Sequence, residues 1–313
     1  MDIIARKSEG VKWPEKKLQA ISVGKKMIAA GFKKRGLNIM ECSSVILWKS
    51  CPECGRSHIS SAALCRDKLC PICSWRLSLK RFAEMCSTVQ AIKEVEDFAA
   101  GFLTVTVKNC APEDLRSTMQ AMSAAWNRLL QTKAFAEVIG WAKSVEITYN
   151  KKTNEFHPHF HIIVLFEERK NAGDLQIAFR DAWKKAMRLD YNPITDYREI
   201  RSEESDLDND RYTAAILETF KYAVKSDELS GMPLDVFRTF VQAVGGLRMV
   251  SYGGVIKKAR AGLGMAEDDL EETEITKDHC ACGAAWVETL MKWSMSEGQY
   301  KEVKERADKI LSA

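Results

Sequence analysis

Residues 155–166 read EFHPHFHIIVLF, placing His157, His159 and His161 at alternate positions at the head of an apolar, β-branched run. A strand has a side-chain period of two, so the three imidazoles share one face while Phe160 and Ile162 take the other. Three of the chain's five histidines fall in this stretch. Neutral imidazole is the commonest metal ligand, and three at this spacing suit a divalent ion better than a solvated strand face.

Upstream, GWAKSVEITYN (140–150) reads as a second strand and KKTN (151–154) as a turn. A hairpin centred between Lys152 and Thr153 sets Glu146 opposite His159, Ser144 opposite His161 and Thr148 opposite His157. Glu146 then shares the histidine face, and either it or His157 completes a site built on His159 and His161. A carboxylate beside imidazoles leaves positions open for water and phosphate around an ion acting as a Lewis acid. A slip of one residue in this register would remove Glu146 from the face.

Working outward, FLTVTVKN (102–109) alternates as a half-buried strand. Pro112 opens a helix with Leu115, Met119, Met122, Trp126 and Leu129 on its inner face. A helix over about 173–188 turns Leu175, Phe179, Ala182, Trp183 and Ala186 inward, and 194–202 reads as a strand. Residues 211–225 (RYTAAILETFKYAVK) predict a helix with Tyr212, Ala215, Ile216, Thr219 and Phe220 as its buried stripe. Glu218, Tyr222 and Lys225 form a second stripe, a carboxylate, a phenol and an ammonium at spacings of four and three. GGLRMVSYGGVIKK (245–258) predicts a strand flanked by glycines. The fold class expected is α+β, an antiparallel sheet with helices packed on it.

The first quarter of the chain differs. Residues 15–35 place Leu18, Ile21, Ile28 and Phe32 along a rough helical face among lysines, suited either to DNA phosphates or to packing on the next module. Residues 51–73, CPECGRSHISSAALCRDKLCPIC, hold two CxxC pairs. Cys51 and Cys54 with Cys70 and Cys73 have zinc-ribbon spacing, and a closed four-sulfur site stabilises a small fold without doing chemistry. Cys65 is a further candidate ligand, and Cys42 and His58 are substitutes. Cys280 and Cys282 in HCACG could bind a second metal, complete the first site from a distance, or do neither. Arg66, Lys68, Arg76, Lys80 and Arg81 around this block suit phosphate contacts, although an ordinary amphipathic helix accounts for the last three equally well.

With 46% hydrophobic and 29% charged residues the 313-residue chain has the composition of a soluble globular protein, and its net charge of +4 is unevenly spread. Basic residues crowd the N-terminus, whereas EESDLDND (203–210) and EDDLEETE (267–274) are acidic. No run is apolar enough to span a membrane and no leader is legible, so a cytoplasmic protein with no membrane partner is expected. Ten cysteines in a reducing compartment point to metal rather than disulfides. Three regions follow: a basic zinc-binding, DNA-binding module at 1–95, a catalytic domain at 96–260, and an acidic linker and tail at 261–313.

The order LTVTVKN, EITYN, HPHFH, LETFKYAVK resembles the rolling-circle plasmid replication initiators of the HUH endonuclease superfamily, and LCRDKLCPICSWRLSLKR is similar to their cysteine segment. The resemblance runs from about residue 51 to 258. It implies an HUH-type fold in which His159 and His161 hold catalytic Mn²⁺ or Mg²⁺, with His157 or Glu146 completing the site, beside structural Zn²⁺. It makes Tyr222 the nucleophile and Glu218 the carboxylate that activates water at termination, while Lys225 stabilises the phenolate. The product would be a 5′-phosphotyrosyl enzyme and a 3′-hydroxyl primer. Implied partners are origin DNA, with a double-stranded binding site and a single-stranded nick site, and host helicase and polymerase. An HUH transposase or mobilisation enzyme shares this chemistry. A non-catalytic, zinc-containing DNA-binding regulator is the reading from another class.

Overall fold

In a computed structural model, residues 9–200, 210–220, 226–265 and 279–303 are described, and the chain divides into two compact units, 77–268 and 1–76 with 269–313. The acidic stretches at 203–209 and 267–274, and residues 221–225 with Tyr222 and Lys225, lie outside the described residues.

The larger unit is built on a five-stranded antiparallel sheet. Its strands are β3 (Ala99–Thr106), β4 (Val138–Asn150), β5 (Glu155–Phe166), β6 (Thr195–Ile200) and β7 (Val250–Gly253), in the order β6-β3-β5-β4-β7. The histidine strand β5 is central and buried on both faces, which explains why its second half is continuously apolar rather than alternating. The hairpin has the expected register: Glu146 pairs with His159, Ser144 with His161 and Thr148 with His157. Asn150 fixes the turn, its Oδ1 accepting the amides of Lys152 at 2.9 Å and Thr153 at 3.4 Å.

One face of the sheet carries Phe160, Ile162 and Val164, all fully buried. Trp126 of α4 (Leu115–Leu129) and Trp183 of α5 (Ala172–Met187) pack edge-on against Phe160 there. Leu115, Met119, Met122, Trp126 and Leu129 form the inner stripe of α4 as expected, and Leu175, Phe179, Trp183 and Ala186 that of α5. Burying each such side chain contributes about 1.5–3 kcal/mol. On the opposite face Ile163 and Leu165 pack with Ile216 and Phe220 at the end of α6 (Asp210–Thr219). Met85, Val89 and Ile92 of α3 (Pro71–Lys93) join them, as does Ile256 of α9 (Gly254–Gly262). The strand expected between the glycines of 245–258 is β7, and α9 begins directly after it at Gly254.

The smaller unit contains α1 (Glu9–Ala29), α2 (Lys33–Glu41), β1 (Val45–Ser50) and β2 (Ser57–Ala62). It also contains β8 (Val287–Ser294) and β9 (Gln299–Glu302), in a sheet of order β2-β1-β8-β9. The chain beyond 279, expected to be a tail, thus supplies two strands of this sheet. The buried stripe of α1 is Trp13, Lys17, Ala20, Val23 and Met27, while Leu18, expected inside, is 52% exposed. The inward lysine displaces the stripe because Lys17 Nζ finds three acceptors, Met40 O, Cys42 O and Ser44 Oγ, at 2.6–2.8 Å. Two short helices, α7 (Ser226–Gly231) and α8 (Leu234–Ala243), complete the larger unit. No helix of the described residues is long and apolar enough to cross a membrane.

Candidate active site

Where β5 leaves the apolar core, its two faces stop being equivalent. His159 and His161 project from the face that deeper in carries Ile163 and Leu165, and both are over nine-tenths buried. Glu146 Oε2 lies 3.2 Å from His159 Nε2 and 2.8 Å from His161 Nε2. Burial pushes the Glu146 carboxyl up, but hydrogen bonds to His159 and His161 outweigh it and hold the group well below the ordinary carboxylate range.

The far side of each ring is also engaged. His159 Nδ1 lies 3.2 Å from the carbonyl oxygen of His157, and His161 Nδ1 lies 3.1 Å from Thr104 Oγ1 on β3. Phe102 stacks on the His161 ring with centroids 5.3 Å apart. A carbonyl oxygen only accepts, so Nδ1 of His159 carries the proton, and in the neutral ring Nε2 presents a lone pair to Glu146. A protonated ring donates Nε2–H to Glu146, whereas in the neutral ring two acceptors stand 3.2 Å apart, a place that a cation takes over from the proton. Neighbouring ligands of an octahedral ion at about 2.1 Å stand about 3.0 Å apart, close to both observed contacts. The donor set of two imidazoles and one carboxylate thus fits a divalent ion with positions left open.

His157 is not part of this group. Its Nδ1 meets Asn109 Oδ1 at 2.9 Å, and Asn109 in turn donates to Glu155 Oε2 at 3.2 Å. Of the two candidates to complete the cluster, the structure brings Glu146 to the histidine pair. Glu218, in the last turn of α6, points its Oε1 to within 3.9 Å of His161 Nε2 and is 36% exposed at its side chain. It sits there because Ala215, Ile216, Thr219 and Phe220, four of the five residues of the expected stripe, are buried beneath the helix.

The cysteines are grouped differently from the single site expected. Cys70 and Cys73 gather with Cys42 and Cys65, whereas Cys51 and Cys54 gather with Cys280 and Cys282. Cys42 precedes β1 and Cys51 follows it, and six extended residues span about 20 Å, too far for one ion. Cys65 and Cys42, candidate and substitute beside the two CxxC pairs, take the places expected of Cys51 and Cys54. The Cys73 sulfur is 3.6 Å from Cys42 and 3.7 Å from Cys65, near the roughly 3.8 Å separation of thiolates around a tetrahedral ion at about 2.3 Å. His58 instead sets its ring against Trp286.

Among the expected DNA-contacting residues, Arg66 is exposed, with Asp67 beside it paired to Arg35. Lys68 is half-buried. Arg76, Lys80 and Arg81 lie on α3, where Arg76 stacks over Trp13 and Lys80 approaches Glu84 at 3.8 Å.

A strand-borne His-x-His pair with a cross-strand carboxylate on an antiparallel sheet, flanked by a helix carrying a second carboxylate, gives this mixed α/β unit a donor set able to hold a metal ion. The chain belongs to the Rep_1 replication protein family, whose model matches residues 56–301. It is 28% identical over 308 residues to a "Protein rep" of Lentilactobacillus hilgardii, covering 95% of this chain and 96% of the relative. A "Protein rep" of a Bacillus species is 30% identical over 80% of this chain and 87% of its own length. A "Replication protein" of Staphylococcus aureus is 32% identical over 56% and 77% respectively. No solved structure matches. The resemblance to plasmid rolling-circle replication initiators is thereby borne out at the level of the family, and the chain's role lies in plasmid replication.

Proposed function

We propose that the chain initiates rolling-circle replication with an HUH-type endonuclease domain within residues 96–260, nicking one strand of plasmid origin DNA by tyrosine transesterification. The approach of Glu218 to His161 carries this reading. The helix α6 delivers a carboxylate to the edge of the Glu146, His159 and His161 cluster, and Tyr222 follows that carboxylate by four residues in sequence.

Each residue has a role the chemistry requires. His159, His161 and Glu146 hold Mn²⁺ or Mg²⁺, which when bound supplies Lewis-acid polarisation of the scissile phosphate. The Tyr222 phenol gives up its proton as its oxygen attacks phosphorus, and the departing 3′-oxygen takes one up; one P–O bond forms as another breaks and one diester replaces another, so the bond energy is retained for strand joining. A phenol has a pKa near ~10 and is a weak nucleophile at neutral pH, so Lys225 stabilises the phenolate. Glu218 acts later, accepting the proton of the water that closes the cycle. His157, held by Asn109, lies outside the ligand set.

Cys42, Cys65, Cys70 and Cys73 hold a structural Zn²⁺. The buried Lys17 ammonium, bonded to the Cys42 carbonyl, supports a group of net negative charge there. Arg66, Lys68, Arg76, Lys80 and Arg81 contact origin phosphates, and the free 3′ end is handed to host helicase and polymerase.

The test is an origin oligonucleotide incubated with the protein and Mn²⁺. Wild type gives a covalent protein–DNA adduct that Tyr222→Phe does not, while both bind the DNA. An undiminished adduct in the variant overturns the nucleophile. Binding by wild type without metal-dependent nicking overturns the enzyme and leaves a non-catalytic regulator.

A further inference from the structure

We propose that Cys51, Cys54, Cys280 and Cys282 bind a second zinc ion, which clasps the C-terminal strands β8 and β9 to the N-terminal sheet of the same unit. The inference is independent of the endonuclease chemistry.

The sulfurs are placed for it. Cys51 lies 3.5 Å from Cys282 and Cys54 lies 3.5 Å from Cys280, with all four within 4.8 Å of one another. That is far beyond the roughly 2.05 Å of a disulfide and near the spacing of a tetrahedral tetrathiolate. The backbone is shaped to present them. Each pair ends in a glycine in left-handed conformation, Gly55 (φ 69°) after Cys54 and Gly283 (φ 92°) after Cys282, so both turns curl back under their sulfurs. The Gly55 amide donates to the Cys51 carbonyl at 3.1 Å and the Gly283 amide to that of Cys280 at 2.8 Å. The amides of Cys51 and Cys280 in turn donate to the carbonyls of Arg56 and Ala284 at 2.7 and 2.8 Å. Two unlike sequences, CPECG and CACG, thus close into turns of the same kind, each offering its two sulfurs to one point.

The location gives the site its purpose. Cys51 directly follows Ser50, which pairs with Val287 at the start of β8, so the two turns lie at the same end of the β1–β8 ladder. Within β8 and β9 only Trp293 is buried, and Val287 is half exposed. Besides the ladder, side-chain ties among the described residues include Tyr300 Oη to the Ser43 carbonyl at 2.8 Å and Lys49 to Glu288 at 3.1 Å. So little apolar burial falls short of what ordering a hairpin costs, at about 1–2 kcal/mol per residue in backbone entropy alone. A structural zinc makes up the difference, releasing thiol protons to solvent as it binds.

The full-length protein, stripped and titrated with Co²⁺, should show sulfur-to-cobalt charge-transfer absorption saturating at two equivalents per chain, since the His and Glu cluster offers no sulfur. The double variant Cys280→Ser/Cys282→Ser should saturate at one equivalent and lose one zinc per chain by elemental analysis. Wild type itself supplies the second measurement. The exposed thiols of Cys54 and Cys282 should resist iodoacetamide until a zinc chelator is added, and then label at least ten times faster. Saturation at one equivalent in wild type, unchanged zinc in the double variant, iron in place of zinc, or labelling indifferent to chelator would each overturn the proposal.

Discussion

His161 and Glu218 meet at the mouth of the histidine cluster, Nε2 of one 3.9 Å from Oε1 of the other. The distance is too long for a direct hydrogen bond and leaves Glu218, 36% exposed, with a side that solvent reaches. A carboxylate so placed suits a base for water better than a ligand. Glu218→Gln should therefore form the covalent adduct with an origin oligonucleotide at close to the wild-type rate. The closing cleavage, in which water cuts the strand a second time at termination, should slow by about 10²-fold or more, the usual contribution of a positioned base. Adduct yield and second-site cleavage, followed on one labelled substrate, measure both steps, and equal loss of both would sink the assignment.

Glu146 offers a test through pH as well as metal. Burial pushes its carboxyl up, and the His159 and His161 hydrogen bonds bring it down further than burial raises it. A carboxyl whose folded pKa lies below its unfolded value binds fewer protons in the native state, so it stabilises the fold above the unfolded value and loses that contribution as pH falls. In chelator, the gap in Tm between wild type and Glu146→Gln should be widest above about pH 4.5 and close as the solution is acidified below it. At neutral pH the same variant should bind Mn²⁺ at least ~10-fold more weakly by calorimetry, having lost its anionic ligand.

Thr104 meets the cluster at His161. Its hydroxyl lies 3.1 Å from Nδ1 and holds the ring so that Nε2 faces Glu146. Thr104→Val keeps the shape and β-propensity of the strand while removing that bond. Groups that orient a metal-bound histidine are worth roughly 10–100-fold in affinity. Mn²⁺ affinity should fall by about tenfold with little change in Tm, and Thr104→Ser should restore it.

How far the sequence spoke depended on how local the signal was. The Glu146–His159 pairing was legible because the loop KKTN is short, the side-chain period of a strand is two, and a slip would have turned a whole face inside out. The inner stripes of α4 and α5 were legible from helical period alone. The cysteine partition was not, because it depends on the length of β1 and on Cys280 and Cys282 returning beside Cys51 from across the chain. The face of α1 misled for a different reason: hydropathy sends lysine outward, and only the three acceptors supplied around Ser44 keep Lys17 in.

That lysine makes the sharpest stability prediction. Lys17 is fully buried; burial pushes its ammonium down from the usual lysine range, and the nearby Cys42 sulfur pulls it part of the way back. Its three donors are spent on Met40 O, Cys42 O and Ser44 Oγ. Lys17→Met fills the same space but leaves two carbonyls without a donor, each costing about 1–3 kcal/mol when buried. The urea midpoint of the smaller unit, followed by Trp13 fluorescence, should fall by an amount equivalent to about 2–5 kcal/mol with an unchanged m-value. Zinc should also pass faster to a competing chelator, because the ammonium that offsets the charge of the Cys42, Cys65, Cys70 and Cys73 group is gone. A variant that unfolds at the wild-type midpoint would show that water satisfies these carbonyls and that the lysine is incidental.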